Sequence, residues 1–221
     1  MTLPASIEQA RFNMIEQQIR PWDVLDPKVL ELLSVVKRED FVPEAHKALA
    51  FVDMEIPLGG GQCMLAPRVE ARLVQEAAPQ PHQKVLEVGT GSGYMAALLA
   101  GSALTVVTLE IDPQLAAQAR ANLKKAGITN VEVREADGAK GLPGEAPFDV
   151  ILLSGSVAEV PQALLSQLKI GGRLVAVVGG EPMMRATVVT RTGEAAFTTA
   201  QRWDTVVPRL QHFAEPSRFA F

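Results

Sequence analysis

The stretch Val85-Leu-Glu-Val-Gly-Thr-Gly-Ser-Gly93 constrains this 221-residue chain more than any other. An apolar run delivers Glu87 and then breaks into glycines at positions 89, 91 and 93, where the pattern predicts a helix starting near Tyr94. Glycine reaches positive φ without a Cβ clash and lets a ligand approach the main chain. The free N–H groups and positive pole of the following helix suit a carboxylate-bearing ligand. The dinucleotide fingerprint G-x-G-x-x-G needs its third glycine at position 94, which is Tyr here, so a nicotinamide-dependent oxidoreductase is disfavoured.

Two further acids narrow the ligand. Leu104-Thr-Val-Val-Thr-Leu-Glu110 predicts a second buried strand ending in a carboxylate, 21 residues after Gly89. An acceptor at such a strand end can take both hydroxyls of a ribose. Val131-Glu-Val-Arg-Glu-Ala-Asp137-Gly138 is strand-like and then turns at Asp-Gly. Together the three elements resemble the class I S-adenosyl-L-methionine (SAM) dependent methyltransferases, in which an acid stands two places before the first glycine and another lies against the adenine amino group. The resemblance implies that Glu87, Gly89, Thr90, Gly91, Ser92 and Gly93 cradle the amino-acid end of SAM. It places Glu110 at the ribose and Asp137 with Gly138 at the adenine.

Composition fits an enzyme of modest size. With 48% hydrophobic and 21% charged residues the chain can bury a full core, and a net charge of −4 without a basic stripe disfavours a nucleic-acid partner. The single cysteine, Cys63, excludes a disulfide framework. His46, His82 and His212 lie far apart, without metal-ligand spacing, and are expected as surface or packing residues. No metal is expected. The opening residues show neither a basic nor an apolar leader pattern, and no window nears the roughly 20 apolar residues of a membrane span, so no membrane partner and a cytoplasmic location are expected.

A helical period runs through Ile7, Ala10, Met14, Ile15 and Ile19 and is expected to stop before Pro21, and Asp26-Pro27 reads as a cap with proline in the first turn. A glycine-rich loop follows at 59–61, then a helix from Pro67. Strands are expected near 84–89, 104–110, 131–135 and 148–153, with helices near 93–100 and 113–126 and another from Pro161. Arg173–Val178 predicts a further strand, and 185–191 with 196–207 an antiparallel pair at the sheet edge. The fold class is therefore α/β, a doubly wound, mostly parallel, Rossmann-like sheet with an N-terminal helical extension. Residues 1–221 are expected to form one methyltransferase domain, 1–80 carrying the extension and the acceptor-site loop and 81–221 the SAM-binding core. Phe213, Phe219 and Phe221 are expected to pack.

Asn13-Met-Ile-Glu-Gln-Gln-Ile-Arg20, Arg38-Glu-Asp-Phe-Val-Pro43, Ile56-Pro-Leu-Gly-Gly-Gly-Gln62, Pro147-Phe-Asp149, Gly171-Gly-Arg-Leu-Val and Val206-Val-Pro208 resemble the protein-L-isoaspartate O-methyltransferases over most of the chain. The resemblance implies transfer of the SAM methyl group to the α-carboxylate of an L-isoaspartyl residue in a damaged protein, leaving S-adenosyl-L-homocysteine. A carboxylate, with an ordinary pKa near 4, is already ionised and attacks without a general base, so alignment alone can carry the reaction. The acceptor side is expected to use Gly61, Gln62, Cys63, Leu65, Val207 and Pro208.

One departure bears on the substrate. Where the family has Thr-Ile-Ser after its Gly-Gln, this chain has Cys63-Met64-Leu65, so two hydroxyls are gone and Leu65 stands at the family's active-site serine. No residue is assigned a catalytic role. Ser154 and Ser156 are two positions from which a hydroxyl could be restored, although a turn-forming role is the simpler reading. Cys63, with no histidine or cationic cluster nearby in sequence, is expected to be an inert thiol. The alternative reading is a SAM-dependent enzyme with a less polar small-molecule acceptor, or a SAM-binding protein without isoaspartyl activity.

Overall fold

The computed structural model describes residues 6–215. Ser6 caps the first helix by accepting the Gln9 N–H at 3.1 Å, and α1 (Ile7–Met14) continues through a widened turn to Ile19 and a tight turn at Arg20–Trp22. Pro21 thus sits inside the last turn rather than beyond it. Asp26 caps α2 (Pro27–Val35) as the Asp-Pro pair predicts, accepting the Lys28 N–H at 2.9 Å.

The glycine-rich loop proves to be the tip of a hairpin. β1 (Ile56–Gly59) pairs antiparallel with β2 (Gln62–Met64), and Gly60 and Gly61 between them have φ of 58° and 78°. Two successive positive-φ residues match the right-handed twist of the flanking strands, which is why glycines stand there. α3 (Pro67–Ala77) follows with proline in its first turn.

β3 (Lys84–Val88), α4 (Tyr94–Ala100), β4 (Thr105–Glu110), α5 (Pro113–Lys125), β5 (Val131–Glu135) and β6 (Phe148–Val157) then alternate as expected. Next come α6 (Gln162–Leu165), β7 (Leu168–Gly180), β8 (Met183–Arg191) and β9 (Phe197–Asp204). The helix expected from Pro161 is only four residues long, and β6 and β7 are longer than the sequence suggested. The seven strands lie in the order β5-β4-β3-β6-β7-β8-β9, parallel from β5 to β7 and antiparallel from β7 to β9. Val85, Leu86, Glu87 and Val88 are all buried, as a central strand covered on both faces requires.

One apolar cluster fills the space between the sheet, α3–α5 and the N-terminal extension, and a second lies on the opposite face around Leu164, Leu165 and Leu168. Phe213 packs partly against the second cluster, while Phe219 and Phe221 lie outside the described residues. No helix among the described residues is long and apolar enough to cross a membrane. The chain order turns back between β3 and β6, so a crevice opens at the C-terminal ends of β3, β4 and β6.

Candidate cofactor and acceptor site

The turn after β3 has the conformation its glycines predict: φ is 92° at Gly89, 53° at Gly91 and 87° at Gly93. A Cβ at Gly89 would come within 2.9 Å of the Leu210 side chain, so that position has neither conformational nor steric room for another residue. Gly138 is equally confined, because a Cβ there would stand 2.2 Å from Val88.

Glu110, at the end of β4, is almost fully buried, and backbone N–H groups hold both its oxygens: Gly91 donates to Oε2 at 2.8 Å and Asp112 to Oε1 at 3.1 Å. Its carboxylate faces a cavity of about 60 Å³ together with Gly89, Gly91, Asp137 and Gly138. Gln62 and Cys63 from the hairpin close the same cavity from the other side. Five of the predicted cofactor residues and two of the predicted acceptor residues therefore meet in one place.

The remaining predicted residues do not reach the cavity wall. Glu87 is fully buried behind it, with Oε1 accepting the Ser154 hydroxyl at 2.6 Å and Oε2 the Thr108 hydroxyl at 2.8 Å. Thr108 bonds Thr90 in turn at 2.6 Å. Burial pushes the Glu87 carboxyl up to about 8, against the smaller opposing pull of those two hydroxyls. Thr90 and Ser92 are buried, and Gly93 packs against Ala119 and Leu123 of α5. On the acceptor side, Leu65 is a core residue whose carbonyl accepts from Arg38, so it offers nothing to the site. Val207 is buried with its carbonyl taking the Ser156 hydroxyl at 2.9 Å, Pro208 accepts the Ser156 N–H at 2.8 Å, and Gly61 lies exposed at the hairpin tip.

Of the two serines on β6, Ser156 is fully buried and committed to Val207, whereas Ser154 lines the cavity. Cys63 is half-buried, and its thiol is pushed up to about 12, first by burial and then by the nearby Glu55 and Glu70 carboxylates. It stays protonated at neutral pH and is no nucleophile.

Sequence reasoning missed the C-terminal segment. Leu210, Gln211 and Phe213 line the cavity, and His212 places Nδ1 2.9 Å from Asp137 Oδ2. The Ala139 N–H, followed by His212, holds the Asp137 carboxyl below the usual range. His212 and Asp137 are 75 residues apart, a separation that carries no spacing signal. A larger cavity of about 660 Å³ lies on the other side of the hairpin tip, against α5, and contains none of Glu87, Glu110 or Asp137. The smaller cavity is therefore the candidate site. Its walls suit a nucleoside carrying a charged tail.

The sequence profile of the protein-L-isoaspartate(D-aspartate) O-methyltransferases matches residues 9–208. A protein-L-isoaspartate O-methyltransferase of Methanoregula boonei is 42% identical over 87% of this chain and 89% of its own length. Protein-L-isoaspartate O-methyltransferase 2 of Marinobacter nauticus is 40% identical over 90% of this chain and 91% of its own. A β-aspartate methyltransferase of Plasmodium falciparum, solved in complex with S-adenosyl-L-homocysteine, superposes with a TM-score of 0.76 at 19% identity, covering 90% of this chain and 97% of that one. That likeness shows a shared fold.

Proposed function

Since the chain belongs to the protein-L-isoaspartate(D-aspartate) O-methyltransferase family, we propose that it transfers the methyl group of SAM to the α-carboxylate of L-isoaspartyl residues in damaged proteins. One observation carries this reading: Gly89, Gly91, Glu110, Asp137 and Gly138 converge with the hairpin residues Gln62 and Cys63 on a single cavity at the C-terminal ends of the parallel strands. Residues 81–221 supply its cofactor side and residues 1–80 most of its acceptor side, within one methyltransferase domain.

The residues present fit SAM. Glu110 has lone pairs left after its two backbone bonds and can accept from the ribose hydroxyls, and Asp137, freed from His212, can accept from the adenine amino group. When bound, SAM supplies a methyl group on a positively charged sulfur. The acceptor carboxylate needs no proton removed, so the chain's work is alignment, exclusion of water and desolvation of the attacking oxygen. Gln62 is the side chain placed to hydrogen-bond the acceptor, and Cys63 packs as a neutral wall.

The test is methyl transfer from labelled SAM to a peptide containing L-isoaspartate, beside its aspartyl twin. Selective labelling of the isoaspartyl peptide is the expected result; equal labelling or none refutes the acceptor assignment. A second reading, a less polar acceptor or no turnover, is favoured by one observation: Leu65 is in the core, Ser156 is tied to Val207, and Cys63 replaces a threonine, so the acceptor side offers no free hydroxyl among these positions. Restoring one calls for Cys63→Thr. Leu65→Ser would bury a hydroxyl in the core instead.

A further inference from the structure

We propose that Ser154 is a binding residue for the ammonium group of the cofactor's amino-acid end, with its oxygen aimed at the ligand by donation of its own proton to Glu87. The proposal rests on the cavity being the SAM site. Glu87 itself lies behind the wall with no exposed surface. Ser154 is its one hydrogen-bonded neighbour that lines the cavity, through a 2.6 Å contact to Oε1. The other, Thr108, is fully buried and points its second contact at Thr90.

A serine hydroxyl has one proton and two lone pairs. With the proton given to Glu87, the lone pairs remain as an acceptor, and an ammonium group is a donor with no acceptor capacity. The pairing is therefore complementary in direction, with the Glu87 carboxyl directly behind the accepting oxygen holding the serine proton away from the ligand. A buried acid that cannot touch the ligand thus acts on it through one intervening atom. Gly89 and Gly155 flank Ser154 and leave no side chain beside it: a Cβ on Gly155 would lie 2.8 Å from Leu210, and one on Gly89 would lie 3.6 Å from the Ser154 Cβ.

A serine that only covered a buried carboxyl would produce a different signature from one that reads the ligand. Calorimetric binding of S-adenosyl-L-homocysteine is compared with that of 5′-methylthioadenosine, which keeps the adenine, ribose and thioether but lacks the amino-acid end. Ser154→Ala is expected to weaken the homocysteine compound by about tenfold to a hundredfold, the range for losing a hydrogen bond to a charged group. Methylthioadenosine affinity should be unchanged, and Ser154→Thr should restore the first affinity. Retained methylthioadenosine binding also shows that the variant has folded. If Ser154→Ala does not fold, Ser154→Cys keeps the volume and a weak donor to Glu87 but accepts poorly, and reads the same selectivity. Unchanged affinity for the homocysteine compound, or equal loss for both ligands, overturns the proposal while leaving the cofactor reading intact. Failure of the wild-type chain to bind S-adenosyl-L-homocysteine overturns both.

Discussion

At the residue scale, the acids found in the sequence play two different parts. Glu110 is a preorganised acceptor: its backbone bonds to Gly91 and Asp112 fix it before any ligand arrives, so little ordering entropy is lost on binding. Glu110→Ala should weaken S-adenosyl-L-homocysteine binding by more than about tenfold by calorimetry, as expected for two lost hydrogen bonds to a charged group. Glu87 is instead a buried acid whose charge opposes folding. Its carboxyl rises from an ordinary 4.5 to about 8 in the folded chain, under burial and the neighbouring Glu110 and Glu70 carboxylates. Below pH 4.5 it is neutral in both states and its contribution to stability is complete. Between 4.5 and 8 the unfolded chain ionises while the folded chain keeps its proton, so that contribution is lost as pH rises. Glu87→Gln, which can keep a bond to each hydroxyl, should flatten the fall in melting temperature over that window. An unchanged slope would place the pH dependence elsewhere.

At the element scale, the regular periods made the architecture legible. The apolar runs at β3 and β4, and the cap at Asp26 with the proline after it, marked strands and a helix within a few residues. Positive-φ glycines made the turn after β3 readable too. The irregular connections were not readable, because tertiary contacts determine them. The segment 208–213 has no period of its own, yet it runs beside β6 through the Ser156–Pro208 and Leu210–Ser156 backbone bonds and lays Leu210 and Phe213 over the cavity. With it in place the cavity holds about 60 Å³, whereas pockets for drug-sized ligands run to roughly 300–1,000 Å³. Admitting a nucleoside is therefore expected to displace this segment or the β1–β2 hairpin. Phe213→Ala removes bulk from the cavity lining without touching a polar group. It should raise both the association and dissociation rates of S-adenosyl-L-homocysteine in stopped-flow measurements, and unaltered rates would assign the gate to the hairpin.

At the scale of the whole molecule, the site is divided between a sheet that supplies the cofactor side and an extension that supplies the hairpin, and one buried side chain knits that extension together beside α4. Arg38 has no exposed surface: it is ion-paired with Glu70 of α3, donates to the carbonyls of Ala50 at 3.1 Å and Leu65 at 2.8 Å, and its guanidinium lies 5.2 Å from the Tyr94 ring at the start of α4. Four segments thus converge on one planar cation whose five donors are held in a fixed fork, a geometry the compact ammonium of a lysine does not reproduce. Arg38→Met keeps most of the volume but strands the Glu70 carboxylate and two carbonyls in the core. Breaking a buried pair from one side costs about 3–5 kcal/mol, a large part of the 5–15 kcal/mol that stabilises a typical domain. Denaturant unfolding should show that loss for Arg38→Met. The double variant Arg38→Met, Glu70→Gln should recover part of it, because the stranded charge is gone while the carbonyls remain unpaired. A double variant no more stable than the single would mean that the carbonyl bonds, and not the ion pair, hold the extension together.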